Sequence, residues 1–231
     1  MTEECDLCSG NYTVDDAPWF LWQQGATCQP HCDTMLAHQA TSAIDRIVPP
    51  RQQGANQLLP ELADWTPVGP GDNGVFLFGD VGRGKSYQAA ALLRAGWMQW
   101  VRATGSAPSV QWWQIARLLQ QIRSTMNRDT KDGREWFTSL YDCSMLVLDD
   151  LGAERVTDWT REQVLLVISE RYDRGAVTIV TSNFTLGDLA ARLTPTDDPA
   201  NPGGKRIVSR IAEASRRVEV VGPDRRLAAS K

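Results

Sequence analysis

The chain has 231 residues, 42% of them apolar and 23% charged, enough for one core of ordinary size with a small appendage. No run approaches the roughly 18 apolar residues of a membrane helix, so a membrane-spanning protein is excluded from consideration. The opening MTEECDLCSG has no basic patch followed by an apolar stretch; no secretory leader is expected, and a cytoplasmic location is.

The net charge of −4 is unevenly spread. Residues 1–40 hold six acids (Glu3, Glu4, Asp6, Asp15, Asp16, Asp33) and no Lys or Arg, whereas 201–231 hold eight basic side chains against three acids. A broad polyphosphate-binding surface does not fit this pattern, and any nucleic-acid contact must be local. Four of the five cysteines crowd into the acidic end: Cys5 and Cys8 form a C-x2-C pair, and after nineteen intervening residues come Cys28, His31 and Cys32. Two close pairs of soft ligands are what tetrahedral zinc requires, with Cys5, Cys8 and Cys28 completed by either His31 or Cys32. The ion would replace the core that about forty residues cannot build alone. Free thiols, or disulfides in an oxidising compartment, are the competing reading. Cys143 stands alone before an apolar strand and reads as a buried, inert thiol.

Residues 1–40 are thus expected to form an acidic zinc-binding, partner-recognising module, 41–70 a linker and lead-in, and 71–231 the main domain. A short helical pattern from Met35 to Ile47 meets Val48-Pro49-Pro50-Arg51, and further Pro, Gly and Gln follow, which disfavours regular structure. From Val75 the pattern alternates. Short apolar runs at Val75–Phe78, Ser109–Trp112, Met145–Leu148, Val177–Val180 and Val218–Val221 suit buried parallel strands. Thr160-Arg-Glu-Gln163 reads as a capping box opening a helix that runs to Gly175, and Thr185 opens another. Five strands with crossover helices make a three-layer α/β domain with a parallel sheet.

The first strand leads straight into Gly79-Asp80-Val81-Gly82-Arg83-Gly84-Lys85-Ser86, and a helix follows from Ser86 to Val101 with Ala89, Leu93, Trp97 and Val101 on one face. Glycines allow successive backbone N–H groups to curl around phosphates, and the helix N-terminus adds positive potential. Lys85 then reaches the outer phosphates of ATP, and the Ser86 hydroxyl ligates Mg²⁺; Tyr87 completes the expected nucleotide-contacting segment. Met145-Leu-Val-Leu-Asp149-Asp150 is an apolar strand that delivers two carboxylates to the same sheet edge. Asp149 is the expected magnesium partner and Asp150 the activator of the attacking water, with Glu154 as an alternative base.

These motifs carry a resemblance. LVLDDLGAE at 146–154 is similar to the signature of the DnaC and IstB group of AAA+ ATPases, P-loop proteins of the ASCE division. Thr181-Ser182-Asn183 stands where that group places its sensor-1 residue, Gly204-Lys-Arg206-Ile-Val-Ser-Arg210-Ile resembles its arginine-bearing motif, and Val220-Val-Gly-Pro-Asp-Arg225-Arg its closing strand and tail. The resemblance spans roughly residues 46–227. It implies a helicase loader of DNA replication that acts as a homo-oligomer, with Asn183 orienting water, Arg210 serving the neighbour's ATP site as a finger, and Arg206 supporting it. Two departures stand out: Lys205 replaces the family's usual Glu, and no helical lid follows Arg210. Without the resemblance, Arg206 and Arg210 at i,i+4 read as a solvated basic face.

Residues 112–136 join Trp112, Trp113 and Trp136 to Arg117, Arg123, Arg128, Lys131 and Arg134, a pairing of aromatics and cations suited to single-stranded DNA. The competing reading is an amphipathic helix on Ile115, Leu118, Leu119 and Ile122 with its arginines in water. Two functions follow from the whole: a loader that grips a replicative DNA helicase through its acidic module, and an IstB-like helper that delivers a transposase to DNA. A small-molecule kinase would need an acceptor pocket and lid arginines, which the doubled Asp and Thr-Ser-Asn do not suggest.

Purified protein is expected to contain about one zinc per chain, and Cys8→Ser to lose it. Elemental analysis of both proteins checks this; a metal-free wild type would remove the site.

Overall fold

The computed structural model describes residues 29–68, 73–126, 131–194, 198 and 201–224, with side chains in the first helix from Leu36 onward. The expected zinc ligands Cys5, Cys8 and Cys28 lie outside the described residues. His31 and Cys32 fall in the opening turns of a helix, before its first described side chain.

Five strands form one parallel sheet in the order β2-β3-β4-β1-β5. They are β1 (Gly74–Phe78), β2 (Val110–Gln114), β3 (Met145–Leu151), β4 (Val177–Ser182) and β5 (Ser215–Glu219). Each expected strand is present, with shifted ends. The last run is displaced most: β5 begins at Ser215, pairing Leu77 with Val218, so Val220 and Val221 lie past its end. Because all strands run the same way, the segments that follow β1, β3, β4 and β5 gather at one edge.

The helices cover both faces. On one side α2 (Lys85–Thr104) packs with α1 (Gln29–Asp45), and on the other α3 (Ile115–Met126), α5 (Asp158–Asp173), α6 (Leu186–Leu193) and α7 (Gly203–Ala214) share a second apolar cluster. The expected stripe of α2 is buried throughout, at Ala89, Leu93, Trp97 and Val101. Helix α4 (Lys131–Asp142) ends on Arg171. That fully buried guanidinium donates to the carbonyls of Leu140, Tyr141 and Cys143 at 3.0–3.1 Å and to Val177 O at 2.6 Å, satisfying helix-end acceptors that would otherwise be orphaned. Cys143 is buried beside it, and burial pushes its thiol pKa up, as expected of an unreactive cysteine.

Two local readings change. Helix α5 starts three residues earlier than expected, because Thr157 is the N-cap and Thr160 is the reciprocal partner in the capping box. Thr160 is followed at the same spacing by Gln163, which fits the usual Thr-x-x-Gln pattern, whereas the pair that forms is Thr157 with Thr160. The lead-in is the larger difference. Leu36, Ala40, Ile44, Val48, Ala55, Leu62 and Trp65 are buried in the same cluster as α2 and β1, with 3-10 turns at Pro50–Gln52 and Pro60–Leu62 between them. Arg94 and Asp45 form an ion pair, Arg94 donates to Ala55 O at 2.8 Å, and Gln88 is bonded to Leu59 N at 3.0 Å and Gln57 O at 3.1 Å. Gly96 explains how Trp65 fits: a Cβ there would lie 3.0 Å from the indole. Residues 41–68 therefore belong to the wall of the α/β core, and α1 crosses the boundary drawn at residue 40.

Truncating Trp65 to Ala is expected to cost about 3–5 kcal/mol of unfolding free energy, as for other buried aromatics. Urea titration measures it, and a loss below ~1 kcal/mol would return this segment to the status of a linker.

Candidate nucleotide-binding site

The loop between β1 and α2 has the backbone that its glycines permit. Gly79, Gly82 and Gly84 take φ of 136°, 81° and 98°, a region L side chains rarely enter. Gly82 is doubly constrained, since a Cβ there would collide with the Asp224 carboxylate. Lys85 is buried, and its ammonium donates to Gly79 O at 2.8 Å and Asp80 O at 2.7 Å. The loop thus folds over its own cation. Arg83 pairs with Asp80 at 3.1 Å and reaches the Gly222 carbonyl, joining the loop to the segment after β5. Val81 is exposed. The Tyr87 hydroxyl accepts from Asn56 N at 3.4 Å, so this residue faces the lead-in.

The paired aspartates sit in a β-bulge. Between Leu148 and Leu151 β3 advances three residues, while β4 advances two, from Val180 to Ser182. An extra residue re-aims the side chains around it. Asp150 takes φ 62°, the one positive φ outside glycine among the described residues, a conformation that Asp tolerates better than most at about 1–2 kcal/mol. Asp149 and Asp150 consequently point differently. Asp149 is buried, and its Oδ1 accepts from Ser86 Oγ at 2.8 Å and Thr181 Oγ1 at 2.7 Å. Asp150 is half-buried, and its carboxyl makes no hydrogen bond among the described residues.

Burial pushes the Asp149 carboxyl pKa up, and the neighbouring Asp150 charge adds to this; hydrogen bonds from Thr181 and Ser86 and the Lys85 charge oppose it. A buried carboxylate of this kind, touching a serine hydroxyl at the helix start, is stabilised by a divalent cation. Ser86 and Asp149 therefore fit Mg²⁺, and the glycine loop with Lys85 fits the phosphates. Glu154 is occupied otherwise. It is buried, its carboxylate accepts from Gly152 N at 2.9 Å, and burial raises its pKa. It fastens the turn after β3.

Asn183 follows β4 and lines a cavity of about 330 Å³ with Gly79, Asp80, Arg83, Glu219 and Gly222. The geometry thus gathers Gly79–Ser86, Asp149, Asp150 and Asn183 at one edge. Arg206 and Arg210 are not with them. Arg206 is exposed on α7. Arg210 lies 5.9 Å from the Tyr172 ring and lines a separate small cavity with Ala176, Thr178 and Ser215, at the starts of β4 and β5, the opposite edge of the sheet. The aromatic–basic stretch is largely spent on packing. Ile115, Leu118, Leu119 and Ile122 are buried, Trp113 and Trp136 meet edge-to-face at 5.8 Å, and Arg123 covers the Trp159 ring at 4.4 Å. Arg117, Lys131 and Arg134 remain on the exposed surface; Arg128 lies outside the described residues. Sequence reasoning named Thr181 only as part of a tripeptide, and its hydroxyl contacts with both aspartates carried no pattern.

A model of the IstB-like ATP binding proteins matches residues 51–231. The chain belongs to this DnaC/IstB-like AAA+ family. As a family member it carries an ATP-binding domain, and the match takes in part of the lead-in as well as the strands. The replicative helicase loader DnaI of Bacillus subtilis (strain 168) is 24% identical over 168 residues, 71% of this chain and 51% of that protein. The chain thus spans about half the length of that curated relative. Among solved structures, the DnaC helicase loader is 26% identical with a TM-score of 0.51, over 64% of this chain and 78% of that one. DnaI is 26% identical with a TM-score of 0.53, over 68% and 76%. No helix among the described residues is long and apolar enough to cross a membrane.

Lys85→Ala is expected to abolish ATP binding, since it removes the cation that the loop encloses. Titration with a fluorescent ATP analogue reads this directly; retention of wild-type affinity would show that the loop holds something else.

Proposed function

We propose that this chain is an ATP-hydrolysing helicase loader, which binds a replicative DNA helicase and places it on single-stranded DNA during replication. The observation that carries the reading is the combined likeness, in sequence and fold, to DnaC and DnaI, two proteins described as helicase loaders or sharing that name. Within the site each residue has a role that its position supports. Lys85 and the loop N–H groups hold the phosphates, and Ser86 and Asp149 hold Mg²⁺, which when bound neutralises charge on the transferring phosphoryl group. Asp150, whose carboxylate makes no hydrogen bond among the described residues, polarises the attacking water, and Asn183 orients it.

Arg210 is proposed to act on a second copy of the chain, with Arg206 beside it. Its place at the edge opposite to the P-loop leaves no path to the site of its own chain, and its buried Nε has no hydrogen-bond partner among the described residues. This implies assembly of the ATP-bound form into a homo-oligomer. The acidic residues 1–40, with zinc held by Cys5, Cys8, Cys28 and His31 or Cys32, are proposed to grip the helicase through apolar residues such as Trp19, Phe20 and Trp22 within an acidic rim. The exposed cations of α3 and α4 are proposed to meet single-stranded DNA. The second reading, an IstB-like helper that delivers a transposase, is favoured by the family match itself.

The test uses the full chain as bait, because α1 packs on α2 and a cut at residue 40 would divide it. Wild-type protein is expected to capture a replicative helicase, Trp22→Ala to capture less, and Asp150→Asn to bind ATP while hydrolysing at least about 100-fold more slowly. Capture of a transposase with no affinity for a helicase would move the protein to the second reading.

A further inference from the structure

The bulge that separates Asp149 from Asp150 creates a local deficit. An extra residue in β3 opens the ladder with β4 between Leu148 and Leu151, so the Asp150 N–H loses the carbonyl it would have met in a regular sheet. The β4 residue facing this gap is Thr181, fully buried. Its hydroxyl accepts from Asp150 N at 2.9 Å and donates to Asp149 Oδ1 at 2.7 Å. One hydroxyl has a single proton, so the two bonds assign its direction: the proton goes to the carboxylate and a lone pair to the amide.

We propose that Thr181 is a positioning residue for the magnesium and water-activating carboxylates, holding Asp149 toward Ser86 and Asp150 in its left-handed backbone with one hydroxyl. This rests on the reading that the site binds ATP with Mg²⁺. A carboxylate that would otherwise rotate is anchored through one oxygen, with Ser86 Oγ at 2.8 Å on that same atom. Outer groups of this kind commonly contribute about 10–100-fold to metal affinity. The neighbouring residue supplies an internal control. Ser182 is as buried as Thr181, and its hydroxyl closes the far side of the same bulge, donating to Leu151 O at 2.7 Å and accepting from Phe184 N at 3.1 Å, yet it bonds neither aspartate.

The experiment measures binding of a non-hydrolysable ATP analogue to full-length protein, in EDTA and across a Mg²⁺ titration, with thermal melting of every variant. For Thr181→Val, affinity in EDTA is expected to stay within about twofold while the Mg²⁺ needed for half-saturation rises about tenfold or more. Thr181→Ser, which keeps the hydroxyl, restores the wild-type requirement, and Ser182→Ala leaves it unchanged. Should Thr181→Val fail to fold, Thr181→Cys, similar in size and a weaker donor, takes its place with the same expectation. An unchanged Mg²⁺ requirement in a folded variant, or an equal rise in Ser182→Ala, overturns the inference alone. Wild-type protein without any Mg²⁺ dependence overturns it together with the reading of the site.

Discussion

Asp149 Oδ1 accepts hydrogen bonds from two hydroxyls that arrive on different elements, Ser86 at the start of α2 and Thr181 on β4. Both are needed because the carboxylate is buried, and a buried charge without such partners would be protonated or would open the core. The consequence is mechanical. The P-loop helix, the strand bearing the acidic pair and the strand leading to Asn183 share a single atom.

The same helix is held from behind. Arg94, Gln88 and Gly96 on α2 secure the lead-in through carbonyls, a backbone amide and the Trp65 ring. Desolvation by burial lowers the Arg94 pKa, and its ion pair with the half-buried Asp45 and its bond to Ala55 O tie the two segments together. Helix α1 therefore packs directly on the helix whose first turn carries Lys85 and Ser86.

Arg210 shows the opposite arrangement. Parallel strands place P-loop, aspartates and Asn183 together at their carboxyl ends, while α7 runs toward the amino end of β5 and carries Arg210 away from them. It sits half-buried next to Tyr172, Thr178 and Ser215, at the edge opposite the P-loop. Trp113 and Trp136 make the complementary point, since half-buried rings engaged with each other are not open platforms for a base.

What the sequence by itself determined was whatever acts through neighbours in the chain. The glycines and Lys85 work through local backbone, the strand–loop–helix order places them, and the apolar runs at Val75, Met145 and Val177 are short and bounded by turn residues, as buried parallel strands are. The N-cap at Thr185 was likewise legible, because the Asp188 amide it bonds is three residues away. Tertiary structure alone decided the rest. The lead-in looked like a linker because the Pro, Gly and Gln after Val48 disfavour regular structure, and only packing against α2 gathers Ile44, Val48, Ala55, Leu62 and Trp65 into one apolar cluster. The bulge at Asp149 and Asp150 left no mark in composition or spacing, since it arises from the register of β3 against β4. The Thr181 hydroxyl lies 32 residues along the chain from the carboxylate it holds, and a bond at that distance exists only once folding has brought two strands side by side.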